Sequence, residues 1–450
     1  KNLAGLHVQN GFARVYEMGP AGAQIFGYVG APDKPVSNTP FFTAGVTGLE
    51  RRFNQQLAGT PGQTVMITNA VGRVTGEDKS QFEAPITGAN VPTTINDSAQ
   101  RVLYDALESH RAGCGVVLDI ETGDVLAMVS TPSFDPNIFG ADDADEYIAG
   151  LRSDFAKPFM NKTLEGLYPP GSTFKIIVAL AALEAGAITP RDKVFCPGYW
   201  DYGDRRYHCW EAKGHCHMDL AGALKHSCDI YFYQLALKIG IDAIKNMALR
   251  LGLSQEYMSD IFARQMTGVI PDRKWKEKNI GVRWVHGDTV ISGIGQGFIL
   301  TNCMQMAVMM ARVASNREVS PRLIKVDAKP TFPELGLQKK NIEYVFRGLE
   351  EVTRPGGTAA GSAINVGGKK MGGKTGTSQV RSISKAERLS GVLTNEQLSW
   401  NMRNHGLFVG YAPTDKPKYA VCIVTEHSGG SGPAARTAAA VMRSLLKEEQ

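Results

Sequence analysis

At 450 residues the chain is too long for one small core, and two or three domains are expected. With 43% hydrophobic and 21% charged residues, no low-complexity tract and no internal repeat, its composition excludes a fibrous or disordered protein. A net charge of +5 from dispersed basic residues is too mild for a nucleic-acid partner, and no apolar run approaches the roughly 18 residues that cross a bilayer.

The opening residues, Lys1-Asn-Leu-Ala-Gly, read as mid-domain sequence with no signal peptide. Residues 1–95 are rich in Gly, Pro and Thr, with β-type runs at Ala23–Val29 and Thr64–Thr68 and no catalytic constellation. They read as a separate, mainly-β pedestal or partner-binding domain, and residues 96–450 as the working domain. Near Pro92 the texture changes. Asn96-Asp97 can cap a helix, and Ala99, Val102, Leu103, Ala106 and Leu107 recur at helical spacing up to Gly113. A hairpin follows, in which Gly115–Ile120 and Val125–Ser130 flank the turn Glu121-Thr-Gly-Asp124.

Residues 131–170 read as a loop-rich connection with Pro132, Pro136 and Pro158. Pro169, Pro170 and Gly171 then force a sharp turn before Ser172, and the apolar run from Ile176 continues as a buried helix that stops near Gly186. A mostly helical region extends to about residue 365, with Phe232, Leu235, Ala236 and Ile239 on one helical face before Gly240. Strands are predicted at Gly373–Val380, Gly406–Tyr411 and Tyr419–Glu426, and an amphipathic helix at Ala434–Lys447. The economical assembly is α+β: one five-stranded antiparallel sheet built from both ends of the domain, terminal helices on one face and the helical body on the other. The polar stretch Arg381–Asn404 is longer than a hairpin turn requires, and reads as a surface loop or a lid.

Three short motifs bear chemistry. Ser172 and Lys175 lie three residues apart at the start of the buried helix, so both face one way, and burial can ready the lysine to take the serine's proton. The same spacing at Ser382–Lys385 and Ser444–Lys447 lacks an apolar helix behind it. Ser227 and Asp229 sit in Lys225-His-Ser-Cys-Asp229, which by itself reads as a helix cap. Lys374-Thr375-Gly376-Thr377 opens a strand, where flanking glycines let a ligand backbone approach closely.

The order Ser-x-x-Lys, Ser-x-Asp, Lys-Thr-Gly is close to the signature of serine β-lactamases and penicillin-binding proteins. With Gly27–Gly30, Gly48–Glu50, Leu126–Asn137, Gly287–Val290, Ile294–Gly297 and Gly356–Ala359, the chain resembles the class B penicillin-binding proteins, most closely their elongation-type penicillin-binding protein 2 branch. Relatives commonly carry Asn where this chain has Asp229; an acid there is typical of that branch, and it can pair with Lys175 or Lys374.

The resemblance implies a serine β-lactamase/transpeptidase-like domain and D,D-transpeptidation of peptidoglycan stem peptides on lipid-linked precursor strands, inhibited by β-lactam antibiotics. Ser172 would be the nucleophile, Lys175 its base and Ser227 a proton relay. Backbone N–H groups of Ser172 and Thr377 would form the oxyanion hole, with Lys374, Thr375 and Thr377 holding the terminal carboxylate. It further implies no cofactor for catalysis, a place on the periplasmic face of the bacterial inner membrane through an anchor absent from this chain, and a membrane glycosyltransferase partner. A β-lactam-hydrolysing or β-lactam-sensing protein on the same scaffold is the alternative.

Seven cysteines are too few for a disulfide scaffold. Cys114, Cys303 and Cys422 stand in core-like contexts and read as small buried hydrophobes. Cys196, Cys209, His215 and Cys228 fall in one Gly-, Tyr- and Trp-rich segment and suit a closed structural Zn²⁺ site; a Cys196–Cys209 disulfide and unpaired cysteines are the competing readings. Cys216, His208 and His217 are alternative ligands. A metal there would position the second motif without entering the reaction.

Overall fold

The computed structural model describes residues 14–31, 43–140, 144–381, 387 and 391–450. They fall into two compact units, Lys1–Val91 with Ser133–Asp154, and Pro92–Pro132 with Phe155–Gln450. Much of the connection that the sequence leaves as loop therefore groups with the first unit, where it forms a 3-10 turn at Pro136–Gly140 and a helix at Ala144–Ser153.

In the first unit the run expected as a strand at Ala23–Val29 is a helical turn, Ala23–Phe26, followed by a two-residue strand, Val29–Gly30, paired with Ala44–Gly45. Ala23 and Ile25 are fully buried, and the 3-10 turn Gly19–Ala21 feeds straight into the helix. A run of seven residues is too short for its period to separate helix from strand. The strand expected at Thr64–Thr68 is present as Gln63–Thr68, antiparallel to Val74–Glu83. This ribbon is exposed along most of its length and carries Ile67, Val74 and Phe82 in the open.

The second unit begins with helix α1 (Asp97–Glu108), whose first turn is capped by the Asn96 side chain accepting from Ala99 N–H. Strands β1 (Gly113–Asp119) and β2 (Val125–Thr131) form the expected hairpin. Its turn is fixed by the Asp119 carboxylate, which accepts from the N–H groups of Glu121 and Thr122, and by Gly123 at a φ of 70°. After the 3-10 turn Gly171–Phe174 come helices α2 (Lys175–Glu184), α3 (Asp229–Arg250, broken at Gly240) and α4 (Cys303–Ser315). Strands β3 (Gly372–Ser378), β4 (His405–Ala412) and β5 (Tyr419–Thr425) precede the terminal helix α5 (Gly432–Glu448).

The five strands form one antiparallel sheet in the order β3-β4-β5-β1-β2. It is the predicted sheet. β5 pairs with β1 from Tyr419 opposite Asp119 to Thr425 opposite Gly113, so the sheet is closed by segments some 300 residues apart in sequence. On one face α1 and α5 bury Leu103, Leu107, Met442 and Leu446 against Val117, Val421 and Ile423. On the other α4 packs, with the Cys303 thiol donating to the Cys422 carbonyl at 3.2 Å. Cys114, Cys303 and Cys422 are fully buried, as expected.

Candidate active site

Ser172 lies inside the 3-10 turn, one turn earlier than an α-helical start would place it, and α2 begins at Lys175. Gly171 takes a φ of 53° and donates its N–H to the Gly295 carbonyl at 2.9 Å. A side chain on Gly171 would meet the Thr377 carbonyl oxygen at 2.6 Å, and one on Gly376 would meet the Pro170 carbonyl at 2.9 Å. The glycines of both motifs thus let β3, an edge strand, lie against the serine turn.

Lys175 is completely buried. Its ammonium donates to Asp229 Oδ1 at 2.7 Å, to the Ser227 carbonyl at 2.9 Å and to Ser227 Oγ at 3.2 Å, and it lies 5.4 Å from the centre of the Phe232 ring. Of the two pairings open to Asp229, the structure takes Lys175. Ser227 adopts a φ of 54°, a left-handed conformation uncommon outside glycine, and Cys228, not Ser227 or Asp229, is the N-cap of α3. The Ser172 hydroxyl has no hydrogen-bond partner among the described residues and remains partly exposed.

Lys374 is also fully buried, and among the described residues it has no carboxylate partner; its ammonium donates to the Thr375 carbonyl at 3.1 Å. Burial, and then the nearby Lys175 charge, hold its pKa well below the usual lysine range, with Asp229 opposing. One carboxylate thus stands beside two buried lysines, and a second full positive charge would be uncompensated. This depression has a sign in stability: the folded state binds less proton than the unfolded chain at pH values between the two pKa values, so Lys374 costs stability that is regained as pH rises through that window. Lys374→Met is expected to raise Tm at pH values below the ordinary lysine range and to flatten the rise of Tm as pH climbs toward that range, read by thermal melts. A lower Tm at every pH would mean that the lysine is held charged and paired.

Two groups that sequence reasoning quoted but left without a role complete the frame. Thr375 Oγ1 lies 2.7 Å from Thr358 Oγ1, which ties Gly356–Ala359 to the third motif. Gln296 Nε2 donates to the Thr377 carbonyl at 3.1 Å, which fixes the exposed end of β3. A third was not singled out at all. Trp210 donates its backbone N–H to Asp229 Oδ2 at 3.0 Å and its indole N–H to the carbonyls of His226 and Ser227 at 3.0 and 3.1 Å. Only its place beside Cys209 marks it in the sequence.

Of the other Ser-x-x-Lys sequences, Ser382–Lys385 falls outside the described residues, and Ser444 sits on α5 beside Ser98, remote from this constellation. The Arg381–Asn404 stretch lies partly outside the described residues; its last part is pinned where Asn395 Nδ2 donates to the Gly429 carbonyl.

Cys196, Cys209, His215 and Cys228 converge, their ligand atoms all within 4.8 Å of one another and the three thiols buried. Cys216, His208 and His217 lie outside this group. None of the cysteines is in a disulfide. His215 Nδ1 is 3.5 Å from Cys209 Sγ and 3.7 Å from Cys196 Sγ. Metal bonds of about 2.3 Å to sulfur and about 2.05 Å to nitrogen at a tetrahedral angle put those atoms about 3.6 Å apart, so the donor set fits zinc. The hydrogen bond from Cys228 pushes the Cys209 thiol down to about 5 and the Cys228 thiol up. The Asp229 N–H also donates to Cys209 Sγ at 3.4 Å, so the cluster touches the second motif directly.

The penicillin binding protein transpeptidase domain matches residues 113–447, and the penicillin-binding protein dimerisation domain matches residues 1–93. The chain is 32% identical to peptidoglycan D,D-transpeptidase MrdA of Haemophilus influenzae over 98% of its own length and 71% of the relative. Among solved structures it is similar to PBP2 of Pseudomonas aeruginosa in complex with WCK 5153, at a TM-score of 0.79, 33% identity, and coverage of 97% and 90% of the two chains. It is also similar to PBP2 of Helicobacter pylori in complex with MreC, at a TM-score of 0.82, 26% identity, and coverage of 97% and 79%.

Proposed function

The chain belongs to the penicillin-binding protein transpeptidases, and on that premise we propose that it crosslinks peptidoglycan stem peptides during cell elongation through an acyl-enzyme on Ser172. The observation that carries the reading is the meeting of Lys175 and Ser227 at a single carboxylate, Asp229, with Lys374 within its electrostatic reach and the Ser172 turn lying against the strand that carries Lys374.

In acylation Ser172 Oγ bonds to the carbonyl carbon of the penultimate D-alanine. Its proton enters the lysine pair, which has room for it because Asp229 balances only one ammonium. The N–H groups of Ser172 and Thr377 receive the oxyanion, and Lys374, Thr375 and Thr377 bind the substrate's terminal carboxylate. The C–N bond breaks, Ser227 delivers a proton to the departing amine, and terminal D-alanine leaves. A second stem-peptide amine then attacks the ester and gives its proton back along the same path. A β-lactam acylates Ser172 likewise, but its leaving group stays attached.

Intact mass followed over time after mixing with a penicillin tests this. One persistent adduct per chain is expected. Penicillin consumed with no lasting adduct would make the protein a hydrolase on the same scaffold; penicillin left intact would sink the acyl-enzyme reading.

Cys196, Cys209, His215 and Cys228 would hold a structural Zn²⁺, which supplies no chemistry to the reaction and instead staples the loop that carries Trp210 to the start of α3. Metal analysis of protein prepared without chelator should give about one zinc per chain, and chelation should lower Tm. A metal-free chain with unchanged Tm would exclude the site.

The exposed ribbon of the first unit, Gln63–Thr68 with Val74–Glu83, favours a partner surface there, since an isolated two-stranded ribbon is marginal in water. The partner proposed is a membrane glycosyltransferase of the elongation machinery, at the periplasmic face of the inner membrane. No described helix is long and apolar enough to cross a membrane.

A further inference from the structure

We infer that Trp210 is a positioning residue for acylation, holding from the solvent side the same two groups of the second motif that Lys175 holds from the interior. The inference rests on the reading of Ser172, Lys175 and Ser227 as the acylation machinery.

The second motif is held at the same two points by two residues. Lys175 donates to the Ser227 carbonyl at 2.9 Å and to Asp229 Oδ1 at 2.7 Å. Trp210 donates to the Ser227 carbonyl at 3.1 Å through its indole and to Asp229 Oδ2 at 3.0 Å through its backbone. Lys175 works from the interior, with no exposure, while Trp210 is 59% exposed and works from the solvent side.

The clamp has something to hold. A serine at a φ of 54° is a sparsely populated conformation, which persists only where its surroundings over-determine it. Turning Ser227 back to an ordinary backbone would swing its carbonyl and hydroxyl away from the Lys175 ammonium, and both are among that ammonium's three acceptors. The backbone bond from Trp210 survives any side-chain change; the indole bond does not. The indole N–H is thus the part of the clamp that a substitution can remove alone.

The exposure of the ring separates this role from core packing. A tryptophan buried to fill space leaves a cavity when cut back, but most of this ring already faces water, with His215 as its aromatic neighbour at 5.4 Å between centroids. Loss of the indole N–H should therefore slow chemistry with little effect on folding.

The test uses the whole chain and a fluorescent penicillin, with the maximal acylation rate k2 and the non-covalent constant Ks separated by varying concentration. Two variants are compared with wild type: Trp210→Phe, and replacement of Trp210 by benzothienylalanine, which keeps the ring volume and exchanges only N–H for sulfur. The expected result is a fall in k2 of about tenfold in both, with Ks within about twofold and zinc content and Tm close to wild type. Unchanged k2, a loss in Ks alone, or a loss that tracks Tm or zinc content in both variants would overturn the inference. A wild-type chain that does not acylate would remove the underlying reading and this inference together; a wild type that acylates no faster than its variants removes the inference alone.

Discussion

Ser172→Ala is expected to leave no penicillin adduct at any time or concentration, while Tm stays close to that of wild type. The expectation of an intact fold comes from the serine's surroundings. Its hydroxyl has no hydrogen-bond partner among the described residues, so its removal orphans nothing, and the change should stay within about 0.5 kcal/mol. The expectation of complete loss comes from the chemistry: no hydroxyl means no ester, whatever the neighbouring lysines do. The result also decides among the three Ser-x-x-Lys sequences, because a nucleophile at Ser382 or Ser444 would be untouched. Adduct surviving in the variant, mapped by proteolysis to another serine, would overturn the assignment.

Lys175→Met should lower the acylation rate of Ser172 by about three orders of magnitude, because it removes half of the lysine pair that takes up the serine's proton, within the ~10²–10⁴ that positioned proton transfer supplies. It should also destabilise the protein. Asp229 is 8% exposed, and the substitution removes its only ion-pair partner among the described residues. Orphaning a buried charge costs up to about 3–5 kcal/mol, and the Trp210 N–H together with the remaining Lys374 should keep the loss at the lower end. The two lysines thus have opposite signs in stability: Lys374→Met raises Tm and Lys175→Met lowers it, although both impair acylation. The double variant should not show the sum, since each lysine sets the other's electrostatic surroundings. Acylation at the wild-type rate in Lys175→Met would place the base elsewhere; calorimetry and stopped-flow acylation read the two effects separately.

Much of this was legible from residue order alone. The β1–β2 hairpin was visible because Glu121-Thr-Gly-Asp124 breaks two apolar runs with a glycine where the backbone needs a φ of 70°, and the sheet followed as the economical way to bury five such strands. The serine turn was visible because Pro169-Pro170-Gly171 can do little else. What sequence could not show was which groups meet. Asp229 had two lysines to choose from, and the choice is made by α2 and α3 lying side by side, which places the Lys175 ammonium within 2.7 Å. Trp210 was invisible as a functional group because its role lies in hydrogen bonds to carbonyls 16 and 17 residues away, and no local pattern encodes those. The Ala23–Phe26 segment has strand-like composition but forms a helical turn, because its neighbours, not its composition, decide its form.

The join between β5 and β1 has a kinetic consequence. Pairing Tyr419–Thr425 with Gly113–Asp119 requires closing a loop of most of the domain, and such contacts of high sequence separation form slowly. During synthesis the β1–β2 hairpin emerges long before its neighbour exists, with the whole helical body made in between. The edge of β1 must wait, exposed, through that interval, which is the period of greatest risk for pairing with another chain. Gain of penicillin reactivity, timed in a synchronised translation, would then report the moment at which the two ends of the domain meet. It should appear only after β5 has left the ribosome, as a late and single step.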